Sequence, residues 1–221
     1  MKNLTILFLV LFYNLDSQNL DFNINYGDEL LTLDKKYYSE KIKDSIEINT
    51  LKFYISNIKY YKNTIKTSWI QNPIIVSLNE NKTSINTLDE FSQFDSIGFD
   101  LGIDSITNVS GDMNGDLDPI RGMYWTWQSG FINFKLEGKS KACQTRKNIF
   151  KYHIGGYAFP FSAIQSMGFK LYHKNNVDIV LDIKKIVDSI DISSINEIMS
   201  PRKEAVDISK IIAKSFSIEN Y

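Results

Sequence analysis

From Leu20 onward, apolar side chains fall at every second position: Leu20, Phe22, Ile24 and Tyr26 alternate with Asp21, Asn23 and Asn25. Only an extended chain turns such a pattern into one wet face and one buried face, because successive strand side chains point to opposite sides. Gly27-Asp28 then turns the chain, and Leu31-Thr32-Leu33 is expected to return it. The segment Ser45 to Tyr61 is rich in β-branched and aromatic residues and reads as two strands separated by Asn49-Thr50. Further strands are predicted at Ser68 to Ile70, Ile74 to Leu78, Ser96 to Leu101, Phe131 to Glu137 and Ile149 to Ile154. Phe169 to Tyr172 and Val177 to Leu181 flank His173-Lys174-Asn175-Asn176, a hairpin signal because Asn tolerates positive φ.

About seven to nine short strands with turn signals between them predict an all-β fold, an antiparallel β-sandwich of immunoglobulin-like type. The period changes near the C-terminus. After Ser200 as N-cap and Pro201 as first helical residue, Ala205, Val206, Ile208, Ile211, Ile212 and Phe216 recur at three-to-four spacing, which predicts a C-terminal amphipathic helix. The expected organisation is one domain over residues 20–185 and a helical extension over residues 186–221 packed upon it.

At the N-terminus, one Lys precedes an apolar run from Leu4 to Tyr13, too short to span a bilayer and followed at once by polar residues. This reads as a signal peptide over residues 1–17, cut near Ser17, leaving a periplasmic or secreted protein with no further membrane insertion. A buried N-terminal strand or helix is the competing reading. Lys+Arg of 25 against Asp+Glu of 26 leaves no global field to attract nucleic acid. The single Cys143 cannot close an internal disulfide, so it is either a free thiol or a soft metal ligand.

Chemistry-bearing residues concentrate between Gly98 and Tyr157. Nucleophilic, zinc-hydrolase, dinucleotide and phosphate-loop signatures are missing from the sequence, so no enzyme is expected. Asp112, Asn114, Asp116 and Asp118 stand at alternate positions, where oxygen donors could wrap calcium; an ordinary turn, with Asp and Asn bonding their own backbone, competes with that reading. Trp125 and Trp127 project from one face of an extended segment, which suits core packing. Indole offers an N–H but no lone pair, so neither tryptophan is a metal ligand unless its ring is oxidatively opened. His153 lies on a predicted strand before Gly155-Gly156, which lets backbone or a ligand approach closely; it reads either as a packing residue or as a ligand for copper or zinc.

LKFYISNI, FDLGIDS, the run LDPIRGMYWTWQSGFINFKLEG and YHIGGY occur in this order, and together they resemble the MbnP-like copper-binding domain family over roughly Leu20 to Asp182. The resemblance implies an exported β-sandwich concerned with copper acquisition. In some members copper is held by two histidines and a tryptophan converted to kynurenine by a dihaem partner enzyme. Carried over, His153 matches the histidine of the last motif, and Trp125, then Trp127, is the position for modification. Relatives carry a further histidine, often after an Asn in the loop before the tryptophan motif. Here that text is Thr107-Asn108-Val109-Ser110, so this ligand is missing, and Cys143 is the remaining candidate for an additional donor.

Overall fold

Leu20, Phe22, Ile24 and Tyr26 are all buried while the residues between them are half-buried, as the alternation predicts. The computed structural model describes residues 18–87, 91–126, 128–172 and 177–219, so the expected signal peptide lies outside the described residues. In chain order the strands are β1 (Gln18–Tyr26), β2 (Glu29–Leu30), β3 (Lys36–Ser39), β4 (Asp44–Lys62), β5 (Ile65–Ile70), β6 (Ile74–Ser77), β7 (Ser84–Thr87) and β8 (Ser96–Leu101). They continue with β9 (Tyr124–Thr126), β10 (Gly130–Lys139), β11 (Ile149–Gly155), β12 (Gln165–Lys170), β13 (Val177–Asp182), β14 (Glu197–Ile198) and β15 (Phe216–Glu219). Among the described residues three α-helices accompany them: α1 (Ser105–Ser110), α2 (Ile183–Ser189) and α3 (Lys203–Lys214).

Two sheets face each other. The smaller runs β15-β13-β1-β2, with β7 also on β1; the larger runs β12-β8-β4-β10-β11-β14, with β3, β5, β6 and β9 attached to its long strands. Aromatic rings close the space between them: Phe22 of the small sheet meets Phe53 and Phe99 of the large one edge-on, at centroid distances of 5.8 and 6.0 Å. Phe216 adds two further edge contacts with Phe53 and Phe99. Such T-shaped pairs contribute about 0.5–1.5 kcal/mol each beyond their buried area.

The sandwich is thus all-β but mixed rather than purely antiparallel. β1 runs parallel to β13, with Leu20 opposite Val177, and β11 runs parallel to β14. Alternation reports which face is buried but not which strand lies alongside, so partner direction is not written in it. The expected break at Asn49-Thr50 is a bulge. β4 continues for 19 residues, and Asn49 is the extra residue between the Gly138–Ile48 and Glu137–Thr50 pairs. The expected return at Leu31 to Leu33 occurs earlier, as β2 pairs with Tyr26 and Asn25. β12 and β13 do not form a hairpin, because β12 pairs with β8 in the large sheet and β13 with β1 in the small one. The connecting residues, His173 among them, lie outside the described residues.

The C-terminal helix begins at Lys203 behind an extended Arg202, not at Pro201. Pro201 instead packs close to Gly156, and the Arg202 guanidinium donates to the Glu197 carbonyl at 2.8 Å. Ala205, Ile208 and Ile212 bury the inner face of α3 in the main core. Phe216 is not part of that helix. It starts β15, where Phe216 and Ile218 pair with Leu181 and Ile179, so the C-terminal stretch supplies a strand of the small sheet as well as a helix.

A second, smaller core lies on the outer face of the large sheet. Tyr54, Ile75, Ile103, Leu117, Met123, Phe131 and Ile132 pack there under the chain between β8 and β9. Phe53, Tyr54 and Ile55 are consequently all fully buried, on both faces of β4. The covering loop is fastened by charge. Asp116 pairs with Lys82 at 2.6 Å, Arg121 with Glu80 at 2.8 Å, and Glu80 with Lys52 at 2.5 Å.

Candidate metal centre

The β10–β11 ladder sets Lys135 opposite His153 and Glu137 opposite Lys151. Residues two apart on a strand share a face, so His153, Lys135 and Glu137 stand together on the outer surface of the large sheet, while Ile154 and Tyr152 point into the main core. His153 is only 6% exposed. Its Nε2 lies 2.6 Å from Glu137 Oε1. The hydrogen bond from His153 holds the Glu137 carboxyl below the usual carboxylate range; burial opposes this, and the charges of Lys135, His153 and Lys151 assist it. The other ring nitrogen, Nδ1, is buried and has no hydrogen-bond partner among the described residues.

Two residues along β11 from His153, Gly155 lies beneath the six-membered ring of Trp125. A Cβ built on Gly155 would sit 2.8 Å from Trp125 Cζ3 and 2.6 Å from the Phe131 carbonyl oxygen, so only glycine admits this contact. Since His153 and Gly155 share a face, the indole covers the strand about 7 Å from the imidazole position. Trp125 is half-buried against the second core, and its Nε1 is also buried with no partner among the described residues. The motif YHIGGY therefore has two separate reasons for its glycines. Gly155 receives the indole, and Gly156, at φ +122°, lets the Phe161 carbonyl approach.

The loop ahead of the tryptophans is anchored beside this site. Asn108 Nδ2 donates to the carbonyls of Ile103 and Asp104, and its Oδ1 accepts from the Phe131 N–H at 3.0 Å. Gly130, at φ +74°, makes room for Asn108 and the Tyr157 ring. The next residue, the position that the resemblance assigned to a further histidine, is the exposed Val109.

The MbnP family model matches residues 16–200 of the sequence, well over half of its length. The chain belongs to the MbnP family. The solved structure of MbnP from Methylosinus trichosporium superposes with a TM-score of 0.66, covering 92% of this chain and 98% of that one at 12% identity. At that identity the likeness establishes the shared fold. No curated protein matches the sequence.

On this MbnP framework the structure separates several candidates. Cys143 is fully buried in the main core, and burial, with the Asp44 charge, pushes its thiol up to about 11. It follows Lys139, whose partner on β11 is Ile149. Four residues of ladder separate that pair from Lys135 and His153, about 13 Å of strand. Cys143 and His153 thus lie at different levels of the hairpin and on opposite faces of the sheet. Trp127 lies outside the described residues.

The four candidates of the calcium loop make hydrogen bonds of their own. Asp112 Oδ1 accepts from the backbone and side chain of Asn114, and Asp118 caps Ile120 N–H at 2.9 Å. Asp116 is occupied by Lys82, Arg121 and the Ile75 N–H. Asp116 thus fastens the loop to the sheet, whereas Asp112 and Asp118 bond within the loop itself. Among the described residues, no group of three or more His, Cys, Asp or Glu side chains converges on one point.

Glu137 is the site residue that sequence reading missed. The signal was present in the hairpin, since Lys135 and Glu137 alternate outward on the strand that neighbours His153.

Proposed function

We propose that this MbnP family member is an exported, non-catalytic protein that takes copper as cargo on the outer face of its large sheet. The observation that supports this reading is the placing of His153 and, over Gly155, Trp125 on one face of β11, with ring nitrogens Nδ1 and Nε1 that are buried without partners among the described residues. Neutral imidazole is a good copper ligand. Intact indole is not, because its nitrogen lone pair belongs to the ring. Oxidative cleavage of the Trp125 C2–C3 bond by a dihaem enzyme, with dioxygen or peroxide as the oxidant, followed by hydrolysis that releases C2 as formate, would leave kynurenine, whose arylamine has a free lone pair, on the same face as the imidazole. The leader-like segment Leu4 to Tyr13 supports a periplasmic or secreted location, where such an enzyme would act.

The test is copper titration of protein purified from its native host, with elemental analysis and mass spectrometry of the tryptophan peptides. Expected are bound copper, a mass gain of a few daltons on the peptide carrying Trp125, and loss of copper in His153→Ala. Absence of bound copper from the modified protein would overturn the proposal, as would unchanged copper binding in His153→Ala.

A further inference from the structure

The geometry points to Glu137 as the positioning residue that selects which nitrogen of His153 is presented to copper, an inference that rests on the copper reading above. A carboxylate only accepts hydrogen bonds, so the imidazole nitrogen 2.6 Å from Glu137 Oε1 must be the one that carries the proton. Neutral imidazole has one such proton. Placing it on Nε2 leaves Nδ1 as a bare lone pair, and Nδ1 is the buried atom with nothing to bond among the described residues.

The opposite tautomer fails twice. It would face the Nε2 lone pair against carboxylate oxygen, and it would leave a buried N–H on Nδ1 with no acceptor. The carboxylate itself is held in place. Glu137 Oε2 accepts from Thr50 Oγ1 at 3.5 Å, and Oε1 lies 3.7 Å from Lys135 Nζ. Glu137 therefore fixes both the tautomer and the plane of the ring, and copper is ligated through Nδ1. Outer-shell carboxylates of this kind orient a ligating imidazole and raise its basicity, and their loss costs about 10–100-fold in metal affinity.

The experiment uses metal-free full-length protein with 15N-labelled histidine, in which the ring-nitrogen shifts report the tautomer directly. Expected is an Nε2–H tautomer for His153 in the wild type. In Glu137→Gln, whose amide can either donate or accept, that preference is lost, and copper affinity falls about 10–100-fold. Glu137→Asp, which keeps the charge on a shorter arm, recovers part of both. Far-UV circular dichroism verifies that each variant is folded. A neutral imidazole with its proton on Nδ1 in the wild type overturns the inference, and so does a Glu137→Gln protein with unchanged tautomer and copper affinity. If the wild type takes no copper, the cargo reading fails, while the tautomer in the metal-free protein still decides the role of Glu137.

Discussion

Replacing Gly155 with alanine tests the contact that brings indole and imidazole to one face. The added Cβ would lie 2.8 Å from Trp125 Cζ3 and 2.6 Å from the Phe131 oxygen, whereas ordinary contact begins near 3.4 Å. The ring would have to withdraw by about 0.6 Å and the carbonyl by about 0.8 Å. Phe131 belongs to β10, held between β9 and β11, so the strain falls mainly on the tryptophan. Forcing a methyl into a packed site costs about 1–3 kcal/mol. The stiffer unfolded chain returns about 0.4–1 kcal/mol. The steric effect wins, leaving about 1–2 kcal/mol of destabilisation and, for a chain of this size, a fall of about 2–8 °C in Tm. Thermal melts followed by far-UV circular dichroism measure this, and near-UV circular dichroism reports the displaced indole. A variant that melts at or above the wild-type temperature with unchanged aromatic bands would refute the packing argument.

Calcium at about 10 mM should leave Tm unchanged, because Asp116 already neutralises Lys82 and Arg121; a site with a dissociation constant near 0.1–1 mM would instead add about 1.4–2.7 kcal/mol, visible as a rise of several degrees. Glu137 has a folded pKa below its ordinary 4.5, so its contribution to stability is complete above that value and is lost as pH falls through the lower folded one. Urea titrations should therefore show the stability gap between wild type and Glu137→Gln shrinking as pH drops below 4.5, and a gap that widens there would contradict the sign. Cys143, buried and with its thiol pushed up to about 11, should resist an aromatic disulfide reagent at about pH 8 until the protein is unfolded; stoichiometric reaction in native buffer would place it at the surface.

The strands that could be read from the sequence were those with one wet face. β1 and β10 show their alternation openly, and the boundaries of β8 follow from SIGFDL. β4 obscured its continuity because the loop over its outer face buries Tyr54 as fully as Phe53 and Ile55, which erases the period. Phe216 fits a helical stripe as well as a strand, and only its pairing with Leu181 distinguishes them. At the site, Gly155 was legible as a place of close approach, but that the approaching group is the Trp125 ring follows only from the packing of β9 beside β11. Proximity in sequence misled for Cys143: it stands ten residues before His153, but it is buried in the main core, whereas His153 is on the outer face of the sheet. Glu137 escaped notice because a lone carboxylate on an alternating strand looks like solvated surface until the register sets it beside an imidazole.

β13 has the start of β1 on one side, where Leu20 meets Val177, and the end of β15 on the other, where Glu219 meets Asp178. The two ends of the described region therefore lie side by side, about 10 Å apart across a single intervening strand. A short Gly/Ser bridge could join them, and the molecule could be reopened at the Asn63-Thr64 turn without parting any strand from its neighbours. The described architecture is closed like a ring with a clasp, its seam lying on either side of β13.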